Sequence, residues 1–243
     1  MSADAARYVI PQPPQAVLAI AGSTQVFPVR RIWCVGRNYL EHIREMGNDE
    51  REPPFFFAKP ADAIVPDGGK VPFPPVTKDL HFEVEMVVAL KSGGRNIPAA
   101  KALDCIWGYG VGIDLTRRDL QIASRNIKRP WEVGKAFDAS APMGALRPAS
   151  EIGHPAKGRI FLKQNGVVKQ DGDLAQMIWN VPETINQLSQ QVGLEAGDVI
   201  MTGTPAGVGQ IAVGDTLECE IEGVGKLTVT MGAMEREYVK PRD

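Results

Sequence analysis

Residues 79–90, Asp-Leu-His-Phe-Glu-Val-Glu-Met-Val-Val-Ala-Leu, alternate and are rich in branched apolar side chains, a pattern that predicts a β-strand. Residues two apart in a strand share a face. Phe82, Val84, Met86, Val88 and Leu90 therefore form one face, and Glu83, Glu85, Val87 and Ala89 the other. The second face opens with two carboxylates and closes apolar, unlike an ordinary wet face. Like charges carried towards a core are costly unless a cation sits between them. A divalent ion held by hard oxygen ligands is one such cation. The alternative is a strand end whose glutamates face water.

Residues 106–115 form a related strand. One face carries Trp107, Tyr109, Val111, Ile113 and Leu115, and the other Gly108, Gly110, Gly112 and then Asp114. A glycine face lets another element or a ligand approach the backbone closely. Glu83, Glu85 and Asp114, completed by waters, make an oxygen site for Mg2+, Mn2+ or Ca2+. The alternative is that Asp114 helps start the next helix. Thr116, with Asp119 three residues later, can cap that helix instead. Arg118 and Gln121 lie on one face of it.

Other stretches offer chemistry with less specificity. A buried strand over 31–35 runs into Gly36-Arg37-Asn38-Tyr39, and the spacing predicts a helix over 38–47, capped by Asn38 and ended by Gly47. His42 and Glu45 are neighbours on that helix. A carboxylate beside an imidazole fixes its tautomer and raises its basicity, as a water-activating base requires; a surface ion pair is the alternative. The apolar strand Phe55-Phe56-Phe57-Ala58 ends in Lys59, which either snorkels to solvent or reaches an anionic ligand. Lys135 follows a basic, Trp-containing loop and carries little weight alone. The loop from Gly203 and Thr204 to Gly209 can offer N–H groups to an anion or serve as a plain turn. It is not a Walker loop.

The totals set bounds. A chain of 243 residues suits one large domain with a small N-terminal appendage, here read as a short lead over 1–30 and a main domain over 31–243. The net charge of −2 gives no case for nucleic acid or an anionic membrane surface. Cys34, Cys105 and Cys219 form no CxxC pair, which argues for a reducing compartment. No apolar run is long enough for a signal peptide or a membrane span, so cytoplasm is the expected location. The 25 glycines and 19 prolines, spread among short apolar runs, favour a β-rich fold with many turns. Asn165-Gly166 marks a hairpin, and residues 181–192 read as an amphipathic helix.

Four ordered motifs then converge. Glu83-Val84-Glu85, Gly108 to Gln121, Gly134-Lys135-Ala136-Phe137-Asp138 and Thr202 to Gly209, together with Gly36-Arg37-Asn38-Tyr39, resemble the fumarylacetoacetate hydrolase family over about residues 31–230. Within it, Gln12-Pro13-Pro14, Phe55 to Pro60 and Asp114 to Gln121 are similar to bacterial fumarylpyruvate hydrolases, which act at the end of the gentisate route of aromatic degradation. The resemblance implies a mainly β fold with short helices (α+β), a mixed β-roll or pseudo-barrel, a Mg2+ or Mn2+ ion and a homodimer. It implies Glu83, Glu85 and Asp114 as metal ligands and His42 with Glu45 as the water-activating dyad. Lys135, Gln121 and Arg118 would line the substrate site, with Lys135 stabilising an oxyanion. Thr204 and its loop, Gly203 included, would hold the substrate carboxylate near Lys59. Arg37 or Arg118 would hold a distal carboxylate. One departure is that Trp33-Cys34-Val35 lacks the acidic ligand that longer members place before the histidine, so water or substrate is expected there. The implied reaction is C–C hydrolysis of a 2,4-diketo acid, fumarylpyruvate giving fumarate and pyruvate. The alternatives are an oxaloacetate or β-keto acid decarboxylase or isomerase, and a non-catalytic metal-binding scaffold.

Overall fold

The structure, a computed structural model, describes residues 8–39 and 52–234. The fold is mainly β with few short helices, a curled half-barrel sheet as expected. The central sheet runs Phe55–Lys59, Arg31–Gly36, Asp198–Met201, Val84–Leu90, Ile106–Ile113, Ala141–Met143, Ile64–Pro66, with Arg147–Pro148 added beside Ile106–Ile113. Its ladders are mixed: Asp198–Met201 lies parallel to Arg31–Gly36 and antiparallel to Val84–Leu90. A five-stranded sheet contains the hairpin Arg159–Gln164 and Val167–Asp173. Asn165 and Gly166 turn that hairpin at φ 53° and 79°, the left-handed pair that a tight two-residue turn needs.

The alternation in residues 79–90 separates two cores. Val84, Met86, Val88 and Leu90 pack into a large cluster with Leu217, Leu227 and other residues of the five-stranded sheet. Val87 and Ala89 pack on the opposite face, with Cys34, Met143 and Met201. Leu18 and Phe27, from the paired strands Val17–Ala19 and Val26–Pro28, also enter this second core. A central strand covered on both faces explains why the carboxylate face ends apolar.

The predicted single strand is divided at Glu83. Leu80–Phe82 pairs with Thr116–Arg117 and Gly209–Gln210, whereas Val84–Leu90 joins the central sheet. The side chain of Gln170 accepts the Val84 N–H at 2.9 Å. The glycine face admits protein rather than ligand. A Cβ on Gly108 would lie 2.3 Å from the Arg147 carbonyl oxygen, and one on Gly112 2.8 Å from Val87. An irregularity opposite Ala89 and Leu90 shifts the register, so Ile106 joins the large core and Trp107 turns to the other side, against Phe27. The sequence pattern had put Trp107 with Tyr109.

The expected cap at Thr116 does not form. Thr116 lies in a short strand, and the helix Arg118–Asn126 begins without a side-chain cap bond. Asp119 instead accepts hydrogen bonds from Thr77 Oγ1 and the Lys78 N–H. The helix Val181–Gln191 has the expected start, with Asn180 and Glu183 forming a reciprocal capping box and Pro182 in its first turn. No helix among the described residues is long and apolar enough to cross a membrane.

Candidate active site

Three positions bring the carboxylates together. Glu83 stands at the break between two strands, Glu85 on the central strand, and Asp114 just after Ile106–Ile113, with its N–H on the Glu83 carbonyl at 2.8 Å. All three are buried, and each offers a carboxylate oxygen within 4.8 Å of the others. Such a cluster needs cations. Lys135, at the end of the short helix Glu132–Lys135, lies 2.9 Å from Glu83 Oε2 and 2.6 Å from Asp114 Oδ2, and donates to Thr116 Oγ1 at 2.6 Å. An ammonium has three N–H donors, so all three are engaged. Burial alone would lower the Lys135 pKa, but Asp114 and Glu83 outweigh it and hold it above the usual lysine value. Arg118 pairs with Glu83 through Nη2 and donates from Nη1 to Gln121 Oε1 at 2.6 Å.

Lys59 occupies a different place from the one expected. It is buried at the end of an edge strand whose first residue, Phe55, is exposed. Its Nζ donates to the Leu115 and Lys135 carbonyls and lies 2.8 Å from Asp114 Oδ1. Lys59 thus supports Asp114 from behind and is absent from the cavity wall. Gly203 also departs from expectation: its N–H donates to Glu85 Oε2 at 2.8 Å, and so orients a carboxylate of the protein. Gly203 has φ +93°, and a Cβ there would lie 2.7 Å from Asn38 Cβ. Asn38, expected to cap a helix whose remaining residues lie outside the described ones, joins three segments. Its Nδ2 donates to the Trp179 and Thr202 carbonyls and its Oδ1 accepts the Trp179 N–H.

The residues fit a divalent metal. The donors are all carboxylate oxygens, the set that hard cations prefer. Asp114 Oδ1 is buried with an ion-pair contact but no hydrogen bond, which leaves lone pairs for a further cation. Burial, then Asp114 and Glu83, push the Glu85 carboxyl well above its ordinary value. A cation beside it would reverse that shift.

The triad faces a cavity of about 710 Å3. Arg37, Arg118, Gln121, Lys135, Gly203 and Thr204 share its wall with the triad, and Phe57, Ile122, Trp131 and Val208 supply apolar surface. Thr204 Oγ1 accepts from Gln170 Nε2 at 2.8 Å, and its own hydroxyl proton has no acceptor among the described residues. Arg118 fixes Gln121 Oε1 as the acceptor, leaving Gln121 Nε2 as a donor with no hydrogen bond among the described residues. His42 and Glu45 lie outside the described residues. The sequence reading missed Gln170, Thr116 and Arg125. Gln170 sits in the polar run Lys169-Gln170-Asp171, which gives no sign of its burial.

Residues 31–231 match the family model described as fumarylacetoacetate (FAA) hydrolase C-terminal. A crystal structure of fumarylpyruvate hydrolase from Pseudomonas aeruginosa, in complex with Mn2+ and pyruvate, is 48% identical with a TM-score of 0.91; the match covers 94% of this chain and 100% of that one. The human mitochondrial oxaloacetate tautomerase is 38% identical over 208 residues, 83% of this chain and 94% of the relative. The mitochondrial oxaloacetate decarboxylase of Dictyostelium discoideum is 37% identical over 196 residues, 80% and 90% of the two chains. By this match, over a fold and a carboxylate cluster that agree with it, the chain belongs to the fumarylacetoacetate hydrolase family.

Proposed function

We propose that the protein is a divalent-metal-dependent hydrolase that cleaves the C3–C4 bond of an acylpyruvate, with fumarylpyruvate as substrate and fumarate and pyruvate as products. The observation that carries this reading is the buried carboxylate triad facing a cavity with uncommitted hydrogen-bond donors. The similarity to a fumarylpyruvate hydrolase that binds Mn2+ and pyruvate supports it. Glu83, Glu85 and Asp114 would hold Mg2+ or Mn2+. The bound ion would supply Lewis-acid polarisation of the 2-keto oxygen and a template for the diketo acid.

The protein's own groups divide the remaining work. The free hydroxyl proton of Thr204 donates to the substrate's C1 carboxylate. His42, oriented by Glu45, takes a proton from the water that attacks C4. Gln121 Nε2 donates to the oxyanion that develops on the C4 oxygen. Lys135, with its three donors engaged, fixes Glu83 and Asp114 in place and is a positioning residue in this arrangement. The C3–C4 bond breaks with its electron pair on C3, pyruvate leaves as its enolate, and the His42 imidazolium returns the proton to C3. Atoms balance as acylpyruvate plus water giving acid plus pyruvate.

A second reading, oxaloacetate tautomerase or decarboxylase, draws on the relatives at 37–38% identity. It would use the same carboxylates without an attacking water. Loss of diketo-acid absorbance, followed with Mg2+ or Mn2+ present, would be compared across fumarylpyruvate, acetylpyruvate and oxaloacetate. Turnover of the first two, abolished in His42→Ala, is expected. Turnover of oxaloacetate alone, retained in His42→Ala, would replace the hydrolase reading with the second. Failure of all three would end both.

A further inference from the structure

We propose that Arg125, together with Arg37, binds a second carboxylate at the far end of the substrate, so that the helix Arg118–Asn126 selects for chain length and terminal charge. The inference deepens the reading above and takes from it only the orientation of the ligand, with the 2-oxo acid end at the carboxylate triad.

Among the described residues, four cations line the cavity, and they are not equivalent. Lys135 has every donor engaged. Arg118 is held by Glu83 and Gln121. Arg37 and Arg125 make no ion pair among the described residues, which places surplus positive charge in the same wall. Arg37 Nε is buried and has no hydrogen-bond partner among the described residues. A buried donor without an acceptor is costly, and an anion entering the cavity supplies one. Arg37 also has φ 56°, an uncommon conformation for such a residue and one that often accompanies a functional site. Its guanidinium lies 5.9 Å from the Phe55 ring centroid.

The helix supplies a scale. Arg118, Gln121, Ile122 and Arg125 have the spacing of a single helix face, and all four line the cavity. At 1.5 Å per residue, Arg125 stands about 6 Å beyond Gln121 and about 10 Å beyond Arg118 along the axis. An extended chain advances about 1.2 Å per bond. The carboxyl carbons of a four-carbon 2-oxo diacid are then about 4 Å apart, and those of a seven-carbon one about 7 Å. With Arg118 on Glu83 marking the triad end, a terminal carboxylate on the longer chain comes within reach of Arg125, and one on the shorter chain does not. The competing account is that Arg125, in the last turn, only complements the helix dipole. That role would affect stability without changing ligand preference.

The test is equilibrium binding by calorimetry to the full-length protein loaded with Mn2+. The probes are saturated 2-oxo diacids of five, six and seven carbons and 2-oxo monoacids of the same lengths. The expected result is a diacid preference that grows with length, about tenfold to a hundredfold at seven carbons, as for a charge-assisted hydrogen bond. Arg125→Gln and Arg37→Gln should each reduce it about tenfold, and Arg125→Lys should retain part. A ratio near one at every length, a ratio unchanged in both glutamine variants, or no binding of either series would overturn the proposal. None of the probes carries a cleavable 2,4-diketone. Absence of acylpyruvate hydrolysis with the diacid preference intact would therefore remove the hydrolase reading and leave this one standing.

Discussion

Replacing Lys135 with methionine would remove a buried charge while nearly keeping its volume. Lys135 Nζ lies within 2.9 Å of oxygens of Glu83 and Asp114, and both carboxylates are buried. At 4.8 Å and an effective dielectric constant of about 20, two carboxylates repel by about 3.5 kcal/mol. Removing one partner of a buried ion pair typically costs about 3–5 kcal/mol, a similar magnitude. For a chain of 243 residues, about 2–4 °C of Tm accompanies each kcal/mol. The metal-free variant should therefore melt about 6–20 °C below the metal-free wild type. A divalent ion in the triad supplies the missing positive charge, so Mn2+ should raise the Tm of the variant by more than that of the wild type. Scanning calorimetry on both proteins, with EDTA and with excess Mn2+, measures the four values. Equal metal-free stabilities would show that Lys135 is not the counter-ion of the cluster. Equal Mn2+ shifts would show that lysine and metal do not act on the same carboxylates.

Two further predictions concern the other sides of the triad. The Glu85 carboxyl is raised above its ordinary value of 4.5 by burial, then by Asp114 and Glu83. A carboxyl with a folded-state pKa above its unfolded value contributes stability that is present below the unfolded value and lost as pH rises through the folded one. The metal-free protein should thus lose this contribution as pH rises above about 4.5, and Mn2+ binding at mildly acidic pH should release a proton. Calorimetric titration in two buffers of different ionisation enthalpy reports that release, and identical heats in both would contradict it. Gly203→Ala puts a Cβ 2.7 Å from Asn38 Cβ at a backbone φ of +93°. The strain costs about 1–3 kcal/mol, and relieving it displaces the N–H that orients Glu85. Denaturant unfolding and Mn2+ titration should show lower stability and weaker metal binding together. Unchanged metal affinity would mean that the Gly203 N–H does not set the Glu85 carboxylate.

The legible part of this site is the part built by strands. Strand alternation placed Glu83 and Glu85 opposite Met86 and Val88, and the two cores on either side of Val84–Leu90 follow that division. Asp114 was legible for a related reason, as a third carboxylate at the end of a glycine face. Lys59 and Lys135 were not, because an isolated lysine in a sequence reads as solvated. Their burial depends on Asp114, which is 55 residues from Lys59 and 21 from Lys135 (114 − 59 and 135 − 114). Gln170 is a stronger case. Its amide accepts from Val84 and donates to Thr204 and to the Pro205 carbonyl, three contacts that only the packed hairpin creates. Asn38 is a similar case: local geometry suggests only a helix cap, whereas its amide satisfies the distant Trp179 and Thr202 backbones.

The same division bears on specificity. Under the proposed reading, an ion on the triad and the Thr204 hydroxyl would hold only the end of a ligand that every 2-oxo acid shares. A hydrolase, a decarboxylase and a tautomerase of such acids can therefore use one floor of this kind, and similarity at that floor does not choose among them. On that reading the choice falls to groups that would meet the rest of the substrate or the attacking water: Gln121, Arg37 and Arg125 in the cavity wall, and His42 with Glu45, which lie outside the described residues. Lys135 separates the two sets of effects. Its donors all point to protein oxygens, so its loss should act on metal-free stability, whereas loss of the Gln121 donor should act on turnover with the cluster intact.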